Sequence, residues 1–108
     1  MRTVTLRAEV DGSNSRFLSA SLDDAGALLI EGQDLGPATA IVSGDGEYEW
    51  RRTIRAEHVP ALLALLDASV DANVLDVLEQ HWTGARSSEL ERRIREADFP
   101  VETWTWNG

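Results

Sequence analysis

The chain has 108 residues, nineteen Asp and Glu against ten basic residues, and no cysteine, for a formal net charge of −9. That length suffices for one core and falls short of two domains, and the lack of cysteine excludes a disulfide framework, a thiolate metal site and a cysteine nucleophile. The acidic balance withholds the cations that nucleic acid or an anionic membrane would require, so neither is expected as a partner.

All ten basic residues are arginine, attributed first to GC-rich coding and second to bidentate pairing chemistry. A hydrophobic fraction of 43% with 27% charged residues is that of a soluble globular chain. No apolar run approaches a membrane span, and Met1 to Leu6 alternates polar and apolar residues where a leader would carry an apolar segment. A cytoplasmic location is therefore expected.

Thr3 to Val10 alternates, with Val4, Leu6, Ala8 and Val10 on one face and Thr3, Thr5, Arg7 and Glu9 on the other, the pattern of a half-buried strand. Asp11 to Ser15 ("DGSNS") is turn chemistry. Phe17 to Leu22 follows as a second strand with Leu18, Ala20 and Leu22 on its apolar face, and Asp23 to Gly26 ("DDAG") closes a hairpin into a third strand, Ala27 to Glu31. The loop "EGQDLGP", residues 31 to 37, then ends that strand, with positive φ expected at Gly32, Gly36 or both. Pro37 to Gly46 is compatible with a short helix, a short strand or a loop. Glu47 to Ile54 alternates again: Tyr48, Trp50, Arg52 and Ile54 share one face, and Glu47, Glu49, Arg51 and Thr53 the other.

The period then changes. Val59, Leu62, Leu63, Leu66 and Val70 recur at helical spacing, with Pro60 in the first turn, where its missing N–H costs nothing. Val74, Leu75, Val77, Leu78 and Trp82 form a second stripe, with Asp71 or Asn73 as its N-cap. A third helix starts at "SSELE", where Ser88 and Glu91 match a capping box, and runs to about Asp98 before Pro100 stops it. Val101 to Trp106 is a last strand with Glu102, Trp104 and Trp106 on one side. The order predicts one α+β domain over residues 1–108, an antiparallel sheet of four to five strands covered on one face by two or three helices.

Catalytic and metal motifs are absent from the sequence. Gly32 and Gly36 lack the spacing and the Lys-Ser/Thr pair of a phosphate cradle, and Glu31 and Asp34 would repel a phosphate. The two histidines, His58 and His81, sit on different elements without metal-ligand spacing, and neither Asp11 to Asn14 nor Asp23-Asp24 fits a calcium loop. No serine lies in a nucleophile elbow, and carboxylate pairs are too abundant to be specific. No catalytic residue, cofactor or metal is therefore assigned. Glu89 with Arg93 and Glu91 with Arg95 are spaced i, i+4, which reads as a self-neutralised helix face. Trp50 and Trp82 are read as core residues. For Trp104 and Trp106, burial and exposure as interface anchors both stand.

The runs "LLIEGQDLGP", "GDGEYEW", "HVPALLALL" and "FPVETWTW" in this order resemble a set of small acidic actinobacterial proteins over roughly Asp23 to Trp106. The resemblance implies no activity and no catalytic residues. In that set one tryptophan precedes a polar tail, whereas this chain has two. In character, though by no motif, the chain also resembles the immunity proteins of polymorphic toxin systems.

Between Arg16 and Arg51 there is no cation, yet Asp23, Asp24, Glu31, Asp34, Asp45, Glu47 and Glu49 all fall there. The leading expectation is a non-catalytic protein-binding module, monomeric or homodimeric, in which Asp34, Asp45, Glu47 and Glu49 meet a basic protein partner while Trp50, Trp104 and Trp106 supply buried area. An immunity protein neutralising a cationic toxin is its concrete form. The alternative is a small enzyme or ligand-binding domain with a pocket between sheet and helices, using His58 or a buried carboxylate as base. A third reading is a homodimer that pairs its sheet edge or tryptophan face with its own copy. The first reading requires the acidic side chains to converge in space.

Overall fold

Five strands pair in the order in which they leave the chain. In the computed structural model, which describes residues 2–36 and 47–107, β1 (Thr3–Asp11), β2 (Asn14–Leu22), β3 (Leu28–Leu35), β4 (Glu47–Ile54) and β5 (Glu102–Asn107) form an antiparallel sheet of order β1-β2-β3-β4-β5. A 3-10 turn at Ala56–His58 leads into α1 (Val59–Leu65), and α2 (Val74–His81) and α3 (Arg86–Arg95) follow before the chain returns as β5 beside β4. The fold is α+β, with three helices packed against a five-stranded antiparallel sheet. Pro37 to Gly46, and with it Asp45, lies outside the described residues. No helix among the described residues is long and apolar enough to cross a membrane.

Local chemistry accounts for the turns. Gly12 opens the β1–β2 turn at φ 63, a conformation costly for a residue with a Cβ. At the β2–β3 turn the Asp23 carboxylate accepts hydrogen bonds from the backbone N–H groups of Ala25 and Ala27, both at 2.9 Å. Asn73, not Asp71, caps α2, its side-chain oxygen accepting from Asp76 N at 3.0 Å. Helix α1 stops at Leu65 rather than near Val70 because Asp67 adopts φ 60. There the N–H of Ala68 donates to the Leu63 carbonyl and that of Asp67 to the Ala64 carbonyl, the paired bonds of a Schellman ending.

Leu18, Ala20, Leu28, Ile30 and Ile54 from the sheet meet Leu62, Leu63, Val74, Leu75, Leu78, Trp82, Leu90 and Ile94 from the helical half in one buried cluster. Burying this apolar stripe is what holds short helices such as α1 and α2, which would be marginal alone in water.

Three expectations need correction. First, β1 does not keep one apolar face. Thr5 pairs with Ser19 and Arg7 with Leu18, so Leu6 is an extra residue, a β-bulge that inverts the alternation beyond it. Arg7 is thereby turned inward and buried, while Val10 is 73% exposed. Second, "EGQDLGP" is mostly strand, for β3 continues to Leu35, although the expected positive φ is found at Gly36, at 116, and not at Gly32. Gly32 sits mid-strand opposite Trp50, where glycine is required by the close approach of the indole. Third, α3 begins at Arg86 with no side-chain cap and ends at Arg95, so Ser88 and Glu91 form no capping box. Both side chains instead bond Arg7.

Candidate functional site

Directly paired residues of an antiparallel sheet share a face, so the register assigns every strand side chain to the helix side or the open side. The open side carries the row Thr5, Ser19, Glu31, Arg51 and Trp104, and beside it the row Ala8, Phe17, Gln33, Glu49 and Trp106. Glu47 and Glu102 lie at opposite ends of the same face. Trp104 and Trp106 are 50% and 44% exposed, and Phe17 is exposed as well.

Among the described residues, four carboxylates, Glu31, Glu47, Glu49 and Glu102, thus share this face with the guanidinium of Arg51, and a second guanidinium, that of Arg55, reaches its edge to pair with Glu102 at 2.7 Å. Arg51 Nη2 lies 3.2 Å from Glu31 Oε2, and its guanidinium sits 5.9 Å from the Trp104 ring centroid. Gln33 Nε2 donates to Glu49 Oε1 at 2.8 Å. A shallow depression of about 310 Å³ is walled by Phe17, Glu49, Arg51 and Trp104. The surface is therefore apolar at its aromatic rings, negative around them, and partly ordered by its own hydrogen bonds.

The expected site residues divide. Glu47, Glu49, Trp104 and Trp106 come together on the open face. Asp34 and Trp50 point to the helix side, and Trp50 is only 8% exposed, tilted against Tyr48 with ring centroids 5.5 Å apart. Burial raises the Asp34 carboxyl above the usual carboxylate range, against the opposing pull of Arg16 and Arg7, and its Oδ1 is buried with no hydrogen-bond partner among the described residues. Of the remaining acids in the cation-free stretch, Asp23 and Asp24 belong to the β2–β3 turn. The acidic stretch thus yields a smaller negative face than its linear spacing suggests, centred on Glu31, Glu47 and Glu49.

Sequence reasoning missed a buried ionic bridge. Glu91 Oε1 accepts from Arg7 Nη2 at 2.8 Å and Glu91 Oε2 from Arg52 Nη1 at 3.0 Å, with side-chain exposures of 11% for Glu91, 9% for Arg7 and 15% for Arg52. Ser87 Oγ accepts from Arg7 Nε at 3.0 Å and itself donates to the Gly84 carbonyl at 2.6 Å. The bridge ties α3 to β1 and β4. Its only trace in the sequence is an inward-facing Arg52 among apolar neighbours. Glu91 turned inward leaves the expected Glu91–Arg95 pair unmade, whereas Glu89–Arg93 forms at 3.2 Å.

Neither histidine joins a reactive set: His58 stacks on Phe99 with centroids 6.2 Å apart, and His81 is exposed at the end of α2. Among the described residues no three His, Asp or Glu side chains are grouped to hold a metal ion. Comparison with protein-family models, curated proteins and solved structures found no match, so the site is read from its own geometry.

Proposed function

We propose that the chain is a non-catalytic protein-binding module whose open sheet face receives a basic protein partner, in the manner of an immunity protein held against a cationic toxin. The observation that supports this reading is the pair Trp104 and Trp106, half exposed on a sheet face where, among the described residues, Glu31, Glu47, Glu49 and Glu102 outnumber the guanidiniums of Arg51 and Arg55. Large rings left in water favour a covering surface, since aromatic side chains contribute much of the area at binding hot spots. The surrounding negative potential selects a positive partner and speeds encounter with it.

The test is capture from native lysate at low and high salt, comparing the wild type with Glu47→Arg/Glu49→Arg and with Trp104→Ser/Trp106→Ser. A partner retained by the wild type, weakened by salt and lost to both double variants supports the reading. No partner, or one indifferent to salt and to both variants, removes it. The immunity form further requires that the captured protein be an enzyme inhibited by the wild type and not by the variants.

A further inference from the structure

On the helix side a groove of about 510 Å³ lies between the end of α3, the segment that follows it, and Arg52 and Thr103 of the sheet. Its polar lining is Arg52, Arg95 and Thr103, its apolar lining includes Ile94, Phe99 and Val101, and no carboxylate lines it. Phe99 is held in place by stacking on His58.

Arg95 is the exception among the arginines. Arg2, Arg7, Arg16, Arg51, Arg52, Arg55, Arg92 and Arg93 each face a carboxylate within 4 Å, and Arg86 lies 4.3 Å from the centroid of Trp82. The Arg95 side chain has, among the described residues, no ion pair, hydrogen bond or ring contact, in a chain where acids outnumber bases nineteen to ten. The unmatched guanidinium therefore borders a groove of about 510 Å³, together with the Thr103 hydroxyl and the guanidinium of Arg52, which Glu91 already holds. A volume of this size is typical of small-ligand sites, which combine apolar walls with a few convergent polar groups.

We infer that this groove binds a small organic carboxylate with an apolar or aromatic body, its carboxylate on Arg95 and its body against Phe99, Val101 and Ile94. A guanidinium presents a planar fork suited to a carboxylate, and the apolar wall requires more than a bare anion. The strong negative charge of the whole chain disfavours polyanions such as nucleotides. The inference is independent of the open face, which lies on the other side of the sheet.

The experiment is a two-dimensional amide NMR titration of the folded full chain with phenylacetate, phenylacetamide and acetate, on the wild type and on Arg95→Gln. Arg95 is exposed and unpaired, so its replacement should leave the fold intact, and dispersed spectra check this directly. Phenylacetate is expected to move the amide signals of Arg95, Phe99, Val101 and Thr103, and to bind at least about tenfold tighter than either control, with Arg95→Gln removing the advantage over the amide. The inference is overturned if phenylacetate does not bind or if the amide or acetate binds as well. Shifts that fall on the open sheet face, or an unchanged preference in Arg95→Gln, would overturn it equally.

Discussion

Gly32 on β3 lies directly opposite Trp50 on β4, and a Cβ built on Gly32 would fall 2.1 Å from Trp50 Cζ2. The indole can cross β3 only because that position has no side chain. Gly32→Ala must therefore displace a ring that is 92% buried, and overpacking of this kind costs about 1–3 kcal/mol. The expected outcome is a lower urea midpoint with an unchanged slope. Gly32→Ala/Trp50→Leu, which removes the clash, should lose less than the sum of the two single changes.

Glu91 holds two buried guanidiniums at once, so removing its charge leaves Arg52 without its carboxylate and Arg7 with the Ser87 and Ser88 hydroxyls and Glu9 at 3.9 Å. Glu91→Gln keeps the shape and removes the charge. Breaking a buried pair from one side costs roughly 3–5 kcal/mol, and the residual exposure here places the expectation toward the lower end. Replacing the whole bridge by Arg7→Met/Arg52→Met/Glu91→Leu should be close to neutral in equilibrium unfolding, because the three desolvation costs disappear together. A triple variant as unstable as Glu91→Gln would show that the bridge does more than satisfy its own charges.

The alternation of Tyr48, Trp50, Arg52 and Ile54, and of Trp104 and Trp106, was legible because a strand places every second side chain on one face. The same rule separates Glu49 from Trp50, and Asp34 from Glu31, once β3 is extended to Leu35. Reading residues 31–37 as a loop concealed that, since Gly32 and Gly36 resemble turn residues until the partner of Gly32, eighteen positions away, is known. The bulge at Leu6 left no mark at all: Thr5-Leu6-Arg7-Ala8 alternates regularly, and only pairing with Ser19 and Leu18 shows that Arg7 turns inward. The Arg7–Glu91–Arg52 bridge was hidden for that reason, and because Ser88 and Glu91 also fit a capping box. The gathering of Glu31, Glu47 and Glu49 on one face likewise depends on cross-strand register, which a single sequence does not carry.

Asp67 occupies the left-handed position that ends α1, where glycine is usual. Its carboxylate, 89% exposed and 3.7 Å from Arg93, contributes little in return. Asp67→Gly relieves the strain of a Cβ at positive φ while enlarging the entropy of the unfolded chain, for a net gain on the order of 0.5–1 kcal/mol. Thermal unfolding should show a rise of a few degrees. A loss of stability would mean that the Arg93 contact outweighs the backbone term.

Asp34 and Glu89 should shape the acid limb of stability in opposite directions. Burial raises the Asp34 carboxyl, with Arg16 and Arg7 opposing the rise and Glu91 and Glu9 adding to it, so the folded state takes up a proton before the unfolded chain does. Stability linked to Asp34 is therefore gained as pH falls through that raised value and is fully present below the unfolded one. Glu89 accepts hydrogen bonds from Arg92 and Arg93, which hold its carboxyl down at about 2. Its contribution is present above the ordinary glutamate range and is lost as pH falls toward 2. Asp34→Asn should raise the unfolding midpoint at neutral pH and remove the Asp34-linked gain on acidification. Glu89→Gln should lower the midpoint at neutral pH and leave a shallower fall toward pH 2. Midpoints measured from neutral pH down to about 2 decide both, and an Asp34→Asn profile parallel to the wild type at every pH would show that Asp34 titrates alike in both states.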